Sequence, residues 1–337
     1  MRLGVLGLGF MGATHIRALD GIEGVTLAAI SSSDPKKLAG DLSAVGGNLG
    51  EGFATLDFSH VAKHTRWESI LDDPSIDAVD VCLPTHLHAP ATAAALRAGK
   101  HVLVEKPMAL DFEAAESLVA LAKKQGKVLM AAQVLRFFPV YRQMADLVRS
   151  GTLGLVRAAT FSRRCAAPPW AAWMQDKQIS GGGVFDLLIH DVDMALHLFG
   201  TPVAVSATGR EALDEYVDTI DAQLYYEGLD SVTVAGGWHH GAFPFSMEYT
   251  IVADGGTIEY SSANGKDPQV YRPGQEAESL TPLAPIDGYQ EEIRYFVECC
   301  AKGTEPVYCS PAESAMAVKV TRLMSDARTK KGEKCRL

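Results

Sequence analysis

Leu3-Gly4-Val5-Leu6-Gly7-Leu8-Gly9-Phe10-Met11-Gly12 stands at the start of the chain, and its reading decides the fold. Leu3–Leu6 is a short apolar run that predicts a buried strand, and the stretch from about Ala13 to Leu19 predicts a helix. Between them lie three glycines in the pattern G-x-G-x-x-G. The glycines permit a tight turn, a close approach of backbone to a pyrophosphate, and close packing of helix on strand. The helix start then offers unpaired N–H groups to the phosphates. A turn can need glycines for its own sake, so the strand–turn–helix setting carries the inference to a dinucleotide. It predicts cofactor contacts from Gly7, Gly9, Phe10, Met11 and Gly12.

Outward from this turn, short β-rich runs alternate with helical stretches. Val25–Ile30, Ala78–Leu83, His101–Val104 and Val128–Ala132 read as strands; Pro90–Ala98 and Glu113–Lys124 read as helices, and Asp34-Pro35 as a helix start. Such alternation predicts a doubly wound parallel sheet over residues 1–133. After that the period changes. A helix, Val140–Arg149, is followed by alternating runs at Val156–Arg163, Ile220–Tyr226, Ser231–Trp238, Met247–Ala253 and Thr257–Tyr260. In the second of these, Ile220, Ala222, Leu224 and Tyr226 share one face, while Asp221, Gln223 and Tyr225 share the other. That predicts a large, mostly antiparallel open sheet with one packed face, covered by a helix at Gly183–Phe199. The α/β fold so read has a second domain over 134–337, whose last helix, about 311–330, is expected to pack back on the first.

Composition narrows the function classes. The 337 residues are 47% hydrophobic and 21% charged, as in an ordinary globular protein with ample chain to bury a core. With 31 basic against 41 acidic residues the formal net charge is −10, which argues against non-specific nucleic-acid binding. No stretch approaches the 18 apolar residues of a membrane span, and no export signal is read, so the expected compartment is the cytoplasm. Six scattered cysteines without C-x-x-C spacing read as reduced thiols.

The acidic residue that bonds a ribose 2′-hydroxyl stands about 20 residues beyond the glycine turn. Here that count reaches Ser32, in Ile30-Ser31-Ser32-Ser33-Asp34-Pro35-Lys36-Lys37. No carboxylate at the strand end repels a 2′-phosphate, and Ser32, Ser33 and Lys36 suit one, so the cofactor reads as NAD(P) with a lean to NADP. The opposing reading has Asp34 reaching back to bind NAD.

Three further motifs follow in order: Pro84-Thr85-His86-Leu87-His88, then Gly99-Lys100-His101-Val102-Leu103-Val104-Glu105-Lys106-Pro107, then Gly181-Gly182-Gly183-Val184-Phe185-Asp186-Leu187-Leu188-Ile189-His190-Asp191. With the glycine turn they resemble the Gfo/Idh/MocA family (glucose–fructose oxidoreductase, inositol dehydrogenase and relatives) over nearly the whole chain. The Glu-Lys-Pro tripeptide is the most specific of the motifs. The resemblance implies a nicotinamide-dependent oxidoreductase acting on hydroxyls of sugars, inositols and related cyclic polyols, with a Rossmann first domain and an α/β second domain whose open antiparallel sheet often makes a homodimer or homotetramer. Cofactor contacts are expected from Pro84, Thr85, His88, Glu105 and Lys106, with a structural helix-start role for His88 the equal alternative; the resemblance implies a catalytic Lys106 whose bond to Pro107 is often cis, and catalytic or substrate-binding roles for Asp186 and His190.

Residue chemistry agrees. Hydride removal from a carbinol requires the hydroxyl to lose its proton, and a lysine near a cationic ring is biased toward giving up its own. Asp186 and His190 are spaced i, i+4, and imidazole titrates near neutrality. His190 is taken as general acid/base with Lys106 polarising the same oxygen, although the two roles are open to exchange. Asp193 and His197 continue that face at a spacing that admits a metal, but the resemblance implies metal-free chemistry and none is expected. Asp191 or Asp193 is taken to orient His190, Arg136 to contact cofactor or substrate, and Trp170 and Trp173 either to stack on a sugar face or to anchor a Pro-rich loop. His15 and His101 read as packing residues.

Two features depart from the family pattern. Leu188 stands where many relatives have glycine, and Asp41–Lys63 is long, either a lid or an inert loop. Two rival functions remain: a redox-neutral enzyme that uses NAD to cleave a glycosidic bond or modify a nucleotide sugar, and a non-catalytic dinucleotide sensor. Retention of Lys106 and His190 weighs against the sensor.

Overall fold

The computed structural model describes residues 1–47, 55–169, 171–280 and 287–337, so Trp170 and part of the Asp41–Lys63 stretch lie outside the described residues. The chain divides into two compact units, Met1–Val134 with Asp287–Ala315, and Leu135–Ile286 with Met316–Leu337.

The first unit is built on β1 (Arg2–Leu6), α1 (Phe10–Ala18), β2 (Thr26–Ser31), α2 (Pro35–Leu38), β3 (Ala62–His64), α3 (Glu68–Leu71), β4 (Ala78–Val81), α4 (His88–Arg97), β5 (His101–Val104), α5 (Phe112–Gln125) and β6 (Leu129–Ala131). Its strands are all parallel in the order β3-β2-β1-β4-β5-β6. The order reverses beside β1, and in such sheets ligands bind at that switch point, beyond the carboxyl ends of the strands. Every residue of β4 and β6 is buried, as helices on both faces require of a parallel sheet. The helix ends follow local chemistry: Asp34 caps α2 with Pro35 in its first turn, and Asp111 caps α5, which stops at left-handed Gly126.

The second unit holds α6 (Pro139–Ser150), β7 (Val156–Ala166), α7 (Lys177–Ser180), α8 (Ile189–Phe199), β8 (Ala204–Ala212), β9 (Val217–Tyr225), β10 (Ser231–His239), β11 (Ser246–Ala253), β12 (Gly256–Ser261), β13 (Gln269–Tyr271) and β14 (Glu278–Ser279). The chain then returns to the first unit through α9 (Gly288–Lys302), whose residues Tyr289 and Gln290 meet His15 and the Asp20 carbonyl near α1. Finally α10 (Pro311–Thr329) leads to β15 (Cys335–Arg336). The expected boundary at 133 lies within a residue of the division at Val134, but the second domain is not the unbroken 134–337, because Asp287–Ala315 belongs with the first unit and α10 starts there before running through the second.

Nine strands make the second sheet, in the order β14-β13-β12-β11-β7-β10-β9-β8-β15, antiparallel except for the β7–β10 pair. The alternation read in the sequence is realised in β9: Ile220, Ala222 and Leu224 are buried, and Asp221 is exposed. Helix α8 packs against β7 and β10 on the buried face. The expected single helix from Gly183 is two pieces, because a π-helical turn over Val184–Leu188 precedes α8. All six cysteines are free thiols. Among the described residues no helix is long and apolar enough to cross a membrane.

Candidate active site

The glycine turn leaves β1 and enters α1 at the switch point. Gly7 has φ +102°, and a Cβ there would lie 2.5 Å from the Cys82 carbonyl oxygen; one on Gly12 would lie 2.0 Å from that of Gly7. These two glycines are required by the turn itself. Gly9 is different: among the described residues nothing lies within 4 Å of its Cβ position. The backbone there is bare, and Gly9 is also the cap residue of α1 with no side chain closing the helix start. An anion brought to this point meets open backbone N–H groups and the positive end of the helix. The turn thus fits a dinucleotide pyrophosphate, with half-buried Phe10 and Met11 opening the helix beside it.

At the end of β2, half-buried Ser32 uses its hydroxyl to accept the Asp34 N–H at 3.1 Å, and the Asp34 carboxylate accepts the Lys36 N–H at 2.9 Å. Asp34 is thereby committed to capping α2, while Ser33 and Lys36 are exposed. Beyond β4 come Pro84 and the buried Thr85, which begins a short helical turn. Beyond β5 come Glu105, Lys106 and Pro107, with the Lys106–Pro107 bond cis. Glycine turn, Ser32, Thr85 and Lys106 therefore share the carboxyl edge of one sheet, and Lys106 is half-buried there.

Two residues expected at the cofactor are held by the protein itself, His88 in the structural role that was its alternative. His88 is 2% exposed, and its two ring nitrogens each lie 2.7 Å from a backbone carbonyl, Pro107 on one side and Leu83 on the other. It clasps the loop after β4 to the turn after β5, so no ring nitrogen is left for a ligand. Burial pushes its pKa down, against the two carbonyls. Glu105 is also buried; one oxygen faces His15 and the other accepts the Lys106 N–H. His15 itself, read as packing, sits between Glu105 and Asp80, a buried strand residue that the sequence reading passed over.

In the second unit Asp186 lies in the π-helical turn and His190 in the first turn of α8, both half-buried. The Trp238 indole N–H donates to Asp186 Oδ2 at 3.2 Å, and the same ring backs Gly183, where a Cβ would come within 2.8 Å of it. Above the turn, the Asp218 carboxylate accepts the Val184 N–H and pairs with Arg328. The two aspartates expected near His190 both pair with arginines. Asp193 makes a bidentate pair with Arg136, both bonds 2.7 Å, and Asp191 makes one with Arg163 at 2.9 and 3.2 Å. All four groups are at most 3% exposed. Arg136 therefore anchors α8 through Asp193, as Arg163 does through Asp191. Burial pushes the Asp191 carboxyl up, against the pull of Arg163. Trp173 is exposed in a short turn, Ala172–Gln175.

Comparison with known proteins matches two family models: an oxidoreductase family with an NAD-binding Rossmann fold (GFO_IDH_MocA) over residues 1–133, and the GFO/IDH/MocA C-terminal domain over residues 141–259. A 1,5-anhydro-D-fructose reductase of Ensifer adhaerens is 39% identical over 248 residues, 69% of this chain and 72% of that protein. A myo-inositol 2-dehydrogenase of Thermotoga maritima is 26% identical over 331 residues, 94% of this chain and 93% of that one. A solved levoglucosan dehydrogenase, in complex with NADH and levoglucosan, superposes with a TM-score of 0.85 at 22% identity, covering 100% of this chain and 99% of that chain, a likeness of fold.

Proposed function

From the premise that this chain belongs to the Gfo/Idh/MocA family of oxidoreductases, we propose that it transfers a hydride between NAD(P) and a hydroxyl or carbonyl of a sugar, inositol or related cyclic polyol. The observation that carries this reading is the bare backbone at Gly9, at the uncapped start of α1 and at the switch point of a parallel sheet. A nicotinamide, when bound, supplies the hydride acceptor or donor at its C4. The chain's own residues do the rest. Lys106 polarises the reacting oxygen through its ammonium group, and His190 takes up the hydroxyl proton during oxidation and returns it during reduction. Asp186, steadied by the Trp238 indole, accepts hydrogen bonds from substrate hydroxyls. This supports the dehydrogenase over a sensor, which needs no proton-transfer groups.

The NADP lean draws support from the end of β2. Asp34 faces α2 as its cap, and Ser32, Ser33 and Lys36 bring no fixed negative charge to a 2′-phosphate.

One experiment tests the whole reading. NADPH and NADH dissociation constants are measured by fluorescence, and turnover is followed with both oxidised cofactors on a panel including myo-inositol and levoglucosan, and with both reduced cofactors on 1,5-anhydro-D-fructose. The expected result is tighter binding of NADPH, turnover of at least one panel member, and a kcat lower by roughly a hundredfold or more in Lys106→Ala. Tighter NADH binding overturns the cofactor preference. Cofactor binding without any turnover favours the sensor, and product release without net reduction favours the redox-neutral enzyme.

A further inference from the structure

One buried cluster in the first unit has no part in the chemistry described so far. His15 stands on α1, three residues past Gly12. Its Nδ1 lies 2.8 Å from Asp80 Oδ2, and its Nε2 approaches Glu105 Oε1 at 3.2 Å as an ion pair without hydrogen-bond alignment. The second Glu105 oxygen, Oε2, accepts the backbone N–H of Lys106 at 3.0 Å. The Cys82 thiol donates to the remaining Asp80 oxygen at 3.4 Å, and the Tyr289 ring stands 6.2 Å from the imidazole. His15, Asp80 and Glu105 are 0%, 1% and 5% exposed.

This arrangement is costly to assemble. Asp80 is flanked in β4 by fully buried Val79 and Val81, and a carboxylate in such a place persists only when paired. Local structure has no need of it, because a valine would continue the strand. Two carboxylates flank one imidazole. Burial alone would push the His15 pKa down, but Asp80 and Cys82 more than reverse this and hold it well above its ordinary value. Glu105 goes the other way: burial raises it, and His15 together with Lys106 brings it below the usual carboxylate range. The chain of contacts Asp80–His15–Glu105 ends on the Lys106 amide.

We propose that His15 is a positioning residue for Lys106: held by Asp80, it fixes the Glu105 carboxylate against the Lys106 backbone and so sets where the lysine leaves the strand. The proposal rests on the role given to Lys106 above. It also ties the helix that starts at the glycine turn to the turn that carries the lysine, through one side chain. A metal ion held by His15, Asp80 and Cys82, whose ligand atoms lie within 4.8 Å of one another, is the competing use of the same atoms.

The test compares His15→Gln and Asp80→Asn with the unaltered enzyme by amide hydrogen exchange, read by mass spectrometry at Lys106. Both variants should exchange the Lys106 amide about tenfold faster, the effect of losing support for one charge-assisted hydrogen bond, while β1 and β5 keep their protection. NADH dissociation constants should stay within about twofold, and kcat should fall about tenfold with KM unchanged on whichever panel substrate turns over. Asp80→Asn preserves side-chain volume and carries the test if His15→Gln does not fold. Unchanged exchange at Lys106 overturns the proposal, as does faster exchange spread over the whole first unit. So does about one zinc per chain in the purified enzyme that is lost in His15→Gln. The exchange measurement needs no substrate, so its failure is distinguishable from a failure of the hydride-transfer reading.

Discussion

Trp238 is the largest fully buried side chain among the described residues and carries two duties at once: its ring fills the space beside Gly183, and its N–H reaches Asp186. Trp238→Phe separates them, since phenylalanine keeps an aromatic ring in the core but donates nothing. Removal of one hydrogen bond from a half-buried carboxylate costs about 1 kcal/mol, and the smaller ring adds a packing loss of the same order. The expected outcome is a loss of about 2 kcal/mol in urea unfolding. It is accompanied by a three- to tenfold rise in KM for the substrate, on the order of one hydrogen bond, with NADH binding unchanged. A variant that loses stability but keeps its KM would show that the indole does not steady Asp186 for substrate. The same contrast between a residue's packing and its polar end explains His88. A histidine in a loop after a strand reads as a ligand contact, yet two carbonyls at 2.7 Å consume it.

Helix α8 is held by two bidentate arginine–aspartate pairs, Arg136–Asp193 and Arg163–Asp191, with the Tyr141 hydroxyl accepting a further N–H from Arg163 at 3.1 Å. Both pairs are buried, so removal of one partner strands a charge. Asp191→Leu should cost about 3–5 kcal/mol, whereas Arg163→Met combined with Asp191→Leu should recover most of it, because no charge is then left alone. Urea unfolding of the two single variants and the double variant gives the coupling directly, and a double variant no better than Asp191→Leu refutes the account. These pairs also mark where sequence reading stops. The row Asp186, His190, Asp193 and His197 is a correct i, i+3, i+4 pattern, but the arginines that claim Asp191 and Asp193 come from 28 and 57 residues away. The π-helical turn further shifts the phase of Asp186 relative to α8. Asp80 was missed for the same reason, since its partner His15 is 65 residues distant and nothing local announces the pair. By contrast the glycine turn, the β9 alternation and the Glu105-Lys106-Pro107 strand end are local patterns, and local patterns are legible. Helix α9 is not among the helices read from the sequence, although its signals are local: an Asp287 cap, apolar Ile293, Phe296 and Val297 at i, i+3 and i+4, and a left-handed Gly303 at its end.

At the scale of the whole molecule, histidines set how stability depends on pH. His88, His101, His197 and His239 all have lowered pKa values, each chiefly through burial, and His197 is pushed down to about 3 with Arg136 and Arg149 adding to the effect. Each of these groups binds its proton less readily folded than unfolded. Near and below the unfolded value of about 6.5 the unfolded chain therefore holds more protons, and stability falls as pH falls. His15 acts in the opposite sense. With a raised folded pKa, its contribution is complete below the unfolded value and disappears as pH rises through the folded one. The buried Asp191 and Asp218, raised by burial against the pull of Arg163 and Arg328, act in the same sense as His15, since each holds its proton more readily folded than unfolded. The urea midpoint should accordingly decline steadily from pH 7 to 5, and His197→Gln, which takes up no proton in either state, should flatten that decline. Parallel curves for His197→Gln and the unaltered chain over that range would mean that His197 keeps an ordinary affinity for its proton despite the two arginines.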